Sequence, residues 1–196
     1  MRFFLVVLLL AAAVGAAIAF WRARQERLAR EQPAAPRTDP FAADAGRPDP
    51  RRLKIGDVVA YDGRDYVVRG TIRLEQSGFA WDEHLLDDTR GRIWLSVEDD
   101  EGLELCIWDR LSGSPLEPGP ADLSHDGVDY RLQERGEATF RSEGTTGTAS
   151  AGSMEYADYA AGGRRLSFER FGAATWDVSR GRVVGERELT IYPVTD

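Results

Sequence analysis

The sequence predicts a mostly β protein, in which a duplicated antiparallel β-rich unit is preceded by one N-terminal transmembrane helix. Three observations lead to this fold class. Residues 3–21 form an uncharged apolar run, short segments rich in β-branched and aromatic residues follow from Leu53 onward, and several motifs occur twice in the same order. The two copies of the unit could close as a barrel or stack as a sandwich.

The apolar run, FFLVVLLLAAAVGAAIAFW, has the length of a membrane-spanning helix. At about 1.5 Å per residue it extends roughly 28 Å, close to the thickness of the hydrocarbon core of a bilayer. A cleaved signal peptide is the alternative, because AIA at 17–19 offers small residues before a cleavage point. The run continues to Trp21, where an interfacial aromatic anchor would lie, and this favours a retained anchor over residues 1–21.

The flanks of the run predict its orientation. Arg2 and the amino terminus precede it, whereas arginines stand at positions 22, 24, 27 and 30 after it. Because the more basic flank usually stays in the cytoplasm, we expect a single-pass protein of the cell membrane with a cytoplasmic carboxyl-terminal domain. Residues 22–52 combine this basic flank with five prolines and little apolar surface, so they are predicted to form a linker.

Residues 53–196 are predicted to form the duplicated β-rich domain. DGRDY at 62–66 returns as DGVDY at 126–130, EHLL from Glu83 corresponds to EYADY from Glu155, and WLSVE at 94–98 corresponds to RLSFE at 165–169. The second copy contains the additional segment SEGTTGTASAGS, which has a loop composition. We therefore place the copies at about 53–111 and 122–193, and expect each to cover the apolar face that the other cannot bury alone.

The charge of this domain limits its function. Residues 51–196 contain 18 Lys and Arg and 28 Asp and Glu, a net charge of about −10. Such a domain repels phosphate backbones, so we expect no nucleic-acid partner. The one cysteine, Cys106, excludes an internal disulfide and lies in the apolar segment LELCIWD, where we expect it to be buried.

The segment WDEHLL at 81–86 contains the first candidate site residues. Alternate side chains of a strand share a face, so Trp81 and Glu83 point one way while Asp82 and His84 point the other. When Glu83 is aligned with Glu155, each copy has a glutamate among apolar and aromatic neighbours. The candidate ligand-binding residues are Glu83, Glu155, Trp81 and Tyr156.

A structural role is the alternative for both glutamates. A partly buried carboxylate needs hydrogen-bond donors, and a neighbouring arginine such as Arg92 or Arg164 could supply them. No metal site is predicted, because the only histidines, His84 and His125, are far apart in the sequence. We also find no serine-hydrolase elbow and no phosphate-binding loop, and predict neither a catalytic residue nor a cofactor.

A family resemblance rests on longer stretches of the domain. They are LKIGDVVAYDGRDYVVRGTIRL, WDEHLLDDTRGRIWLSVEDDEGLELCIWDR, LSHDGVDYRLQERGEATF, MEYADYA and LSFERFGAATWDVSRGRVV. Over about residues 53–193 the sequence resembles the bacterial "domain of unknown function" family 4178. In that family an aromatic residue follows W-x-E, and His84 stands in its place here. The resemblance implies no activity, ligand or catalytic residue.

The sequence therefore predicts a single-pass membrane protein whose cytoplasmic β-rich domain is a non-catalytic binding or adaptor module, with a protein partner at the membrane. The alternative is a domain that binds a small molecule, such as a polyamine-type cation attracted by the acidic residues and the aromatic rings. An enzyme that uses Glu83 or Glu155 as an acid or base is the least favoured alternative.

Overall fold

The computed structural model describes residues 48–194. The predicted anchor at 1–21 and most of the predicted linker at 22–52 lie outside this range. Within the described range, no helix has the length and apolar character that a membrane crossing requires. The helical segments found there are two single 3-10 turns, Pro50–Arg52 and Glu186–Glu188.

Eleven antiparallel strands form most of the described domain. They are β1 (Val58–Tyr61), β2 (Arg64–Gln76), β3 (Phe79–Asp88), β4 (Gly91–Asp99), β5 (Leu103–Arg110), β6 (Asp122–His125), β7 (Val128–Gly144), β8 (Ala151–Ala161), β9 (Arg164–Phe171), β10 (Asp177–Val184) and β11 (Leu189–Tyr192). Their hydrogen-bonded order is β11-β1-β2-β3-β4-β5-β10-β9-β8-β7-β6, and β2 also pairs with β7. This last pairing closes β2 to β5 and β7 to β10 into an eight-stranded barrel. The prediction of a mostly β fold is confirmed, and the arrangement is a barrel.

The Asp-Gly dipeptides form the turns that the sequence predicts. Asp62 and Gly63 have φ angles of 48° and 69°, and Asp126 and Gly127 have φ angles of 50° and 73°. Positive φ at both central residues is typical of the two-residue hairpin turns whose twist matches that of the strands. The first turn joins β1 to β2 and the second joins β6 to β7.

The two halves of the domain have the same order of strands. Strands β1 to β5 pair consecutively, as do β6 to β10, and β11 is added beside β1. A β-bulge shifts the register of β2 between Val68 and Gly70, and another shifts that of β7 between Leu132 and Glu134. Both the bulges and the Asp-Gly turns recur at an interval of 64 positions (68 to 132, 62 to 126).

The strand registers correct two alignments made from the sequence. Ser96 of WLSVE corresponds to Glu169, two residues beyond its place in the alignment with RLSFE, which leaves it on the same face. The other correction concerns Glu83. Ile72 of β2 pairs with Glu83 of β3, and Gly136 of β7, which lies 64 positions after Ile72, pairs with Tyr156 of β8. Glu83 therefore corresponds to Tyr156, and its alignment with Glu155 is wrong by one residue. In a strand, a slip of one residue moves a side chain to the opposite face of the sheet.

Most of the apolar core lies outside the barrel wall. One cluster lies between the outer faces of β3, β4 and β5 and the strands β1 and β11; it contains Leu53, Val59, Tyr66, Val68, Leu86, Ile93, Leu95, Val97, Leu105, Ile107, Val184, Leu189 and Ile191. A second cluster lies on the outer faces of β8 and β9 and contains Tyr130, Ala157, Tyr159, Leu166, Phe168 and Val178, with Leu116 and Leu123 packed against it.

The outer faces of β8 and β9 are covered mainly by residues of their own half, whereas those of β3 to β5 are covered by β1 together with β11, which belongs to the second half. The expectation that the two copies cover each other is met in part by the first cluster, through Val184, Leu189 and Ile191, and by a smaller third cluster inside the barrel; the third cluster contains Ile72, Leu74, Ala138, Phe140, Met154 and Tyr156. Because the largest apolar clusters lie outside the wall, the inner faces of the strands are free to carry polar groups.

Candidate ligand-binding lumen

The interior of the barrel is identified by a contact between two opposite strands. Glu83 of β3 and Glu169 of β9 are hydrogen-bonded to each other. In the closed order of strands, β3 and β9 are separated by three strands in either direction. Their side chains can meet only across the interior, so the face that carries Glu83 is the inner face of the barrel. We call this interior the lumen.

Between the two barrel ends, the paired registers bring six acidic side chains to the inner face; they are Glu83, Glu98, Glu104, Glu134, Asp158 and Glu169. Among the described strands, one arginine, Arg165 of β9, shares the inner face with them between the two barrel ends. At one end, the ion pair of Arg110 and Asp177 lies beside the lumen. Carboxylates therefore exceed cations in the lumen.

Glu83 and Glu169 form the first carboxylate group. Burial raises the pKa of Glu83 to about 7. Burial, and then the neighbouring charge of Glu83, also raise the pKa of Glu169. Two carboxyl groups can form a hydrogen bond only if one of them is protonated, so the pair shares a proton. The Trp81 indole Nε1 donates a further hydrogen bond to Glu83 Oε1 at 3.4 Å.

Glu98 and Asp158 form the second carboxylate group. Burial raises the pKa of Glu98 to about 7, and the charge of Asp158 adds to the effect. Burial likewise raises the pKa of Asp158 to about 6. Asp158 Oδ1 is inaccessible to solvent and accepts no hydrogen bond from a described residue. Arg165 lies nearby, but its Nη2 donates to the two oxygens of Glu104, at 3.1 and 3.2 Å.

Aromatic rings form much of the remaining wall. Trp108 Nε1 donates to Ser96 Oγ at 2.9 Å, which fixes the indole in the lumen. The neighbouring strand carries Gly181, where a Cβ atom would lie only 2.5 Å from the Trp108 ring. The ring therefore lies directly against the backbone of β10. Trp94 pairs with Trp108 in the β4–β5 register and faces the same space.

A pocket of about 110 Å³ leads into the lumen from the end at Arg110 and Asp177. Its wall includes Trp94 and Trp108, and it reaches both Glu83 and Glu169. Thr146, Gly147 and Thr148 of the β7–β8 loop also line this pocket.

Three of the four predicted site residues meet in the lumen. The rings of Trp81 and Tyr156 make an edge-to-face contact with centroids 5.9 Å apart, and Trp81 bonds to Glu83. The Tyr156 hydroxyl donates to Glu134 at 2.8 Å. The structure does not bring Glu155 to this site, because its side chain lies on the outer surface and binds Arg170 at 2.7 Å.

The arginine pairing suggested for the glutamates is formed by Glu155, whose cross-strand neighbour Arg170 binds it, but not by Glu83, and neither Arg92 nor Arg164 takes part. Arg92 binds Asp87 instead, at 3.2 Å. Arg164 lines a separate groove on the outer surface. Glu83 obtains its hydrogen bonds from Trp81 and Glu169, and neither group is a cation.

His84 lies outside the lumen, whereas Cys106 of β5 pairs with Ser96 and lies on the inner face. His84 is buried on the outer face of β3, where its Nδ1 lies 2.9 Å from Thr71 Oγ1 and burial lowers its pKa to about 4. Cys106 is buried, as predicted, and burial raises the pKa of its thiol. Within residues 48–194 no cluster of three or more His, Cys, Asp or Glu side chains has the geometry of a metal site.

Sequence reasoning missed Glu98, Asp158 and Glu169. A usable signal was present in WLSVE and RLSFE, where strand alternation places an acid on the same face as Ser96 or Ser167. The signal does not reveal that these faces point inward, because an inner face is defined only when the barrel closes.

The fold and the site together define a closed eight-stranded antiparallel barrel with an acidic, aromatic lumen. Residues 54–186 match the family model described as "Domain of unknown function (DUF4178)", and the chain belongs to this family. The resemblance seen in the sequence is therefore confirmed.

The chain is also similar to uncharacterized proteins of Mycobacterium bovis and of two strains of Mycobacterium tuberculosis. Each is 41% identical over 172 residues, which cover 82% of this chain and 83% of the relative. No solved structure matches the chain.

Proposed function

We propose that the barrel is a non-catalytic binding module that takes a small organic cation, of the polyamine type, into its lumen. The observation that carries this proposal is the excess of carboxylates, most of them half-buried, over cations on the inner face. The proposal includes attachment to the cell membrane through residues 1–21, with the barrel on the cytoplasmic side. The adaptor role and the protein partner expected from the sequence stay predictions.

The lumen carboxylates lower the free energy of unfolding when they are ionised. A buried carboxylate that lacks a cationic partner loses the solvation that it has in water, and proteins normally pair such groups or replace them. Glu83, Glu98 and Asp158 instead have raised pKa values because burial disfavours their charged forms. Costly groups of this kind are retained where they serve function, and a bound cation would supply the missing counter-charge.

The lumen also contains aromatic rings, the second feature that is typical of an ammonium-binding site. Ammonium groups are attracted to the faces of Trp and Tyr rings, and their methylene chains pack against the same rings. Trp94 and Trp108 line the pocket that reaches Glu83 and Glu169, so carboxylates and aromatic rings surround one space. Carboxylates also bind hard metal ions, but aromatic rings do not ligate such ions, so the combination of the two suits an organic cation.

Titration calorimetry tests the proposal on the purified full-length chain in mild detergent, with spermidine as the probe. We expect saturable binding with one spermidine per chain. Glu83→Gln removes a lumen carboxylate with little change in shape, and should weaken binding by roughly tenfold or more, about 1.4 kcal/mol. The matched control, Glu155→Gln, removes a carboxylate from the outer surface and should leave the affinity unchanged within about twofold.

Two outcomes would overturn this function. One is the absence of saturable heat and of any thermal shift with spermidine, putrescine and tetramethylammonium. The other is an equal loss of affinity in the Glu83 and Glu155 variants, because binding would then follow the overall surface charge.

A further inference from the structure

We infer that the ligand is an extended amine with at least two ammonium groups, one bound by Glu83 and Glu169 and the next bound deeper, by Glu98 and Asp158. This inference rests on the proposed cation-binding function and specifies the ligand of the same site. Its basis is that the lumen carboxylates form two groups at different depths.

The depth of each group follows from the strand registers. On one wall, Glu83 pairs with Ser96, and Glu98 is two residues further along β4. Two residues of a strand span about 7 Å. On the opposite wall, Glu169 pairs with Tyr156, and Asp158 is two residues further along β8. On each wall, a second carboxylate thus lies about 7 Å along the strand from the first.

The pocket determines which group is outermost. It opens beside Arg110 and Asp177 and is lined by both Glu83 and Glu169. On β4, Trp94 lines this pocket, and Glu98 lies on the far side of Ser96 from it. A ligand that enters from this end reaches the Glu83–Glu169 pair first and the Glu98–Asp158 pair second.

The deeper group has a hydrogen-bonding capacity that the protein does not use. Asp158 Oδ1 is inaccessible to solvent and accepts no hydrogen bond from a described residue. A buried acceptor of this kind normally has a partner. Arg165 does not satisfy it, because its Nη2 atom is hydrogen-bonded to Glu104. An ammonium group carries three donors and would satisfy both Asp158 and Glu98.

The dimensions favour a linear ligand. Three or four methylenes between two nitrogens span about 5–6 Å, close to the step of about 7 Å between the carboxylate groups. The pocket, about 110 Å³ in volume, is lined by Glu83 and Glu169 and by neither Glu98 nor Asp158, so a ligand must pass between the first two carboxylates to reach the deeper group, which favours a narrow chain over a branched or bulky cation. Trp94 and Trp108 line this space and would contact the methylenes.

Putrescine and butylamine provide a matched pair of probes, because both have four carbons and only putrescine has a second ammonium group. Calorimetry with the full-length chain should show that putrescine binds roughly tenfold more tightly or better. In Glu98→Gln this preference should fall to about threefold or less, whereas Glu83→Gln should weaken both amines. Asp158→Asn provides a second deep variant, and near-ultraviolet circular dichroism checks that each variant is folded.

The outcomes separate the two proposals. If spermidine, putrescine and butylamine all fail to bind the wild-type chain, the cation-binding function itself is wrong. If the amines bind but putrescine has no advantage, the cation-binding function stands and the extended-amine inference is overturned. The same conclusion follows if both deep variants fold and keep the wild-type preference for putrescine.

Discussion

The carboxyl group of Glu83 lies in the lumen, and its hydrogen-bonding partners are the Trp81 indole and the carboxyl group of Glu169. Its pKa is raised to about 7 from an ordinary value of 4.5, mainly because burial disfavours the ionised form. A group with a raised pKa in the folded protein contributes stability that is full below about pH 4.5 and is lost as the pH rises through about 7. At pH 8 this side chain therefore opposes folding.

Replacing Glu83 by Gln should stabilise the protein at pH 8. Glutamine keeps nearly the same shape but removes the buried charge, so the free energy of unfolding should rise by about 1–3 kcal/mol. At pH 5.5 the gain should be smaller, because Glu83 is then largely protonated in the folded protein. Urea unfolding at the two pH values measures both effects.

Glu155→Gln is the control for that experiment. Its carboxylate lies on the surface and binds Arg170, so the free energy of unfolding should change by less than about 1 kcal/mol at either pH. A destabilised Glu83 variant at pH 8, or equal changes in the two variants, would contradict this account of the lumen.

At the scale of the strands, the sequence predicts the type of each element better than the direction in which its side chains point. Its β-branched and aromatic segments predict the strands, and its Asp-Gly dipeptides predict two turns. Alternation correctly separates Glu83 from His84, yet a shift of one residue in the repeat alignment was enough to give Glu155 the wrong face. The contact between Glu83 and Glu169 joins opposite strands and leaves no local pattern in the sequence.

Strand β10 depends on the absence of a side chain at Gly181. A Cβ atom there would lie 2.5 Å from Trp108 Cε3 and 2.8 Å from Cys106 Sγ, closer than real Cβ contacts. Gly181→Ala should therefore displace the Trp108 ring and destabilise the protein by about 1–3 kcal/mol. Urea unfolding measures the loss, and tryptophan fluorescence reports the moved ring.

Gly91→Ala is the matched control, because a Cβ atom at the start of β4 would have no atom within 4 Å. It should change stability by less than about 0.5 kcal/mol. If Gly181→Ala leaves both the stability and the tryptophan spectrum unchanged, Trp108 does not lie against β10 as described.

At the scale of the whole molecule, the proposed anchor and the proposed binding site act together. A barrel tethered to the membrane meets ligands and partners at the membrane surface at a raised effective concentration, without any additional contact. Residues 1–21 and their basic flank supply this part of the proposal, and it is independent of the lumen chemistry.

Membrane topology can be measured with a carboxyl-terminal reporter whose signal differs between the cytoplasm and the outside of the cell. We expect a cytoplasmic signal and a membrane-bound protein of full-length mass, because the more basic flank follows the apolar run. An external signal would contradict the orientation, and a reduced mass would indicate that the apolar run is cleaved.

The strand pairs that join the two halves of the barrel bear on how the fold could have arisen. The barrel closes through the pairs β2–β7 and β5–β10, and each of these pairs joins one half to the other. A single half present in two copies could form the same ring as a symmetric homodimer, which would carry every inner residue twice. In the present chain the inner residues differ between the halves. Glu83 pairs with Ser96 in the first half, and at the equivalent positions of the second half Tyr156 pairs with Glu169. Because both halves belong to one polypeptide, they can carry different inner residues, and the lumen is asymmetric.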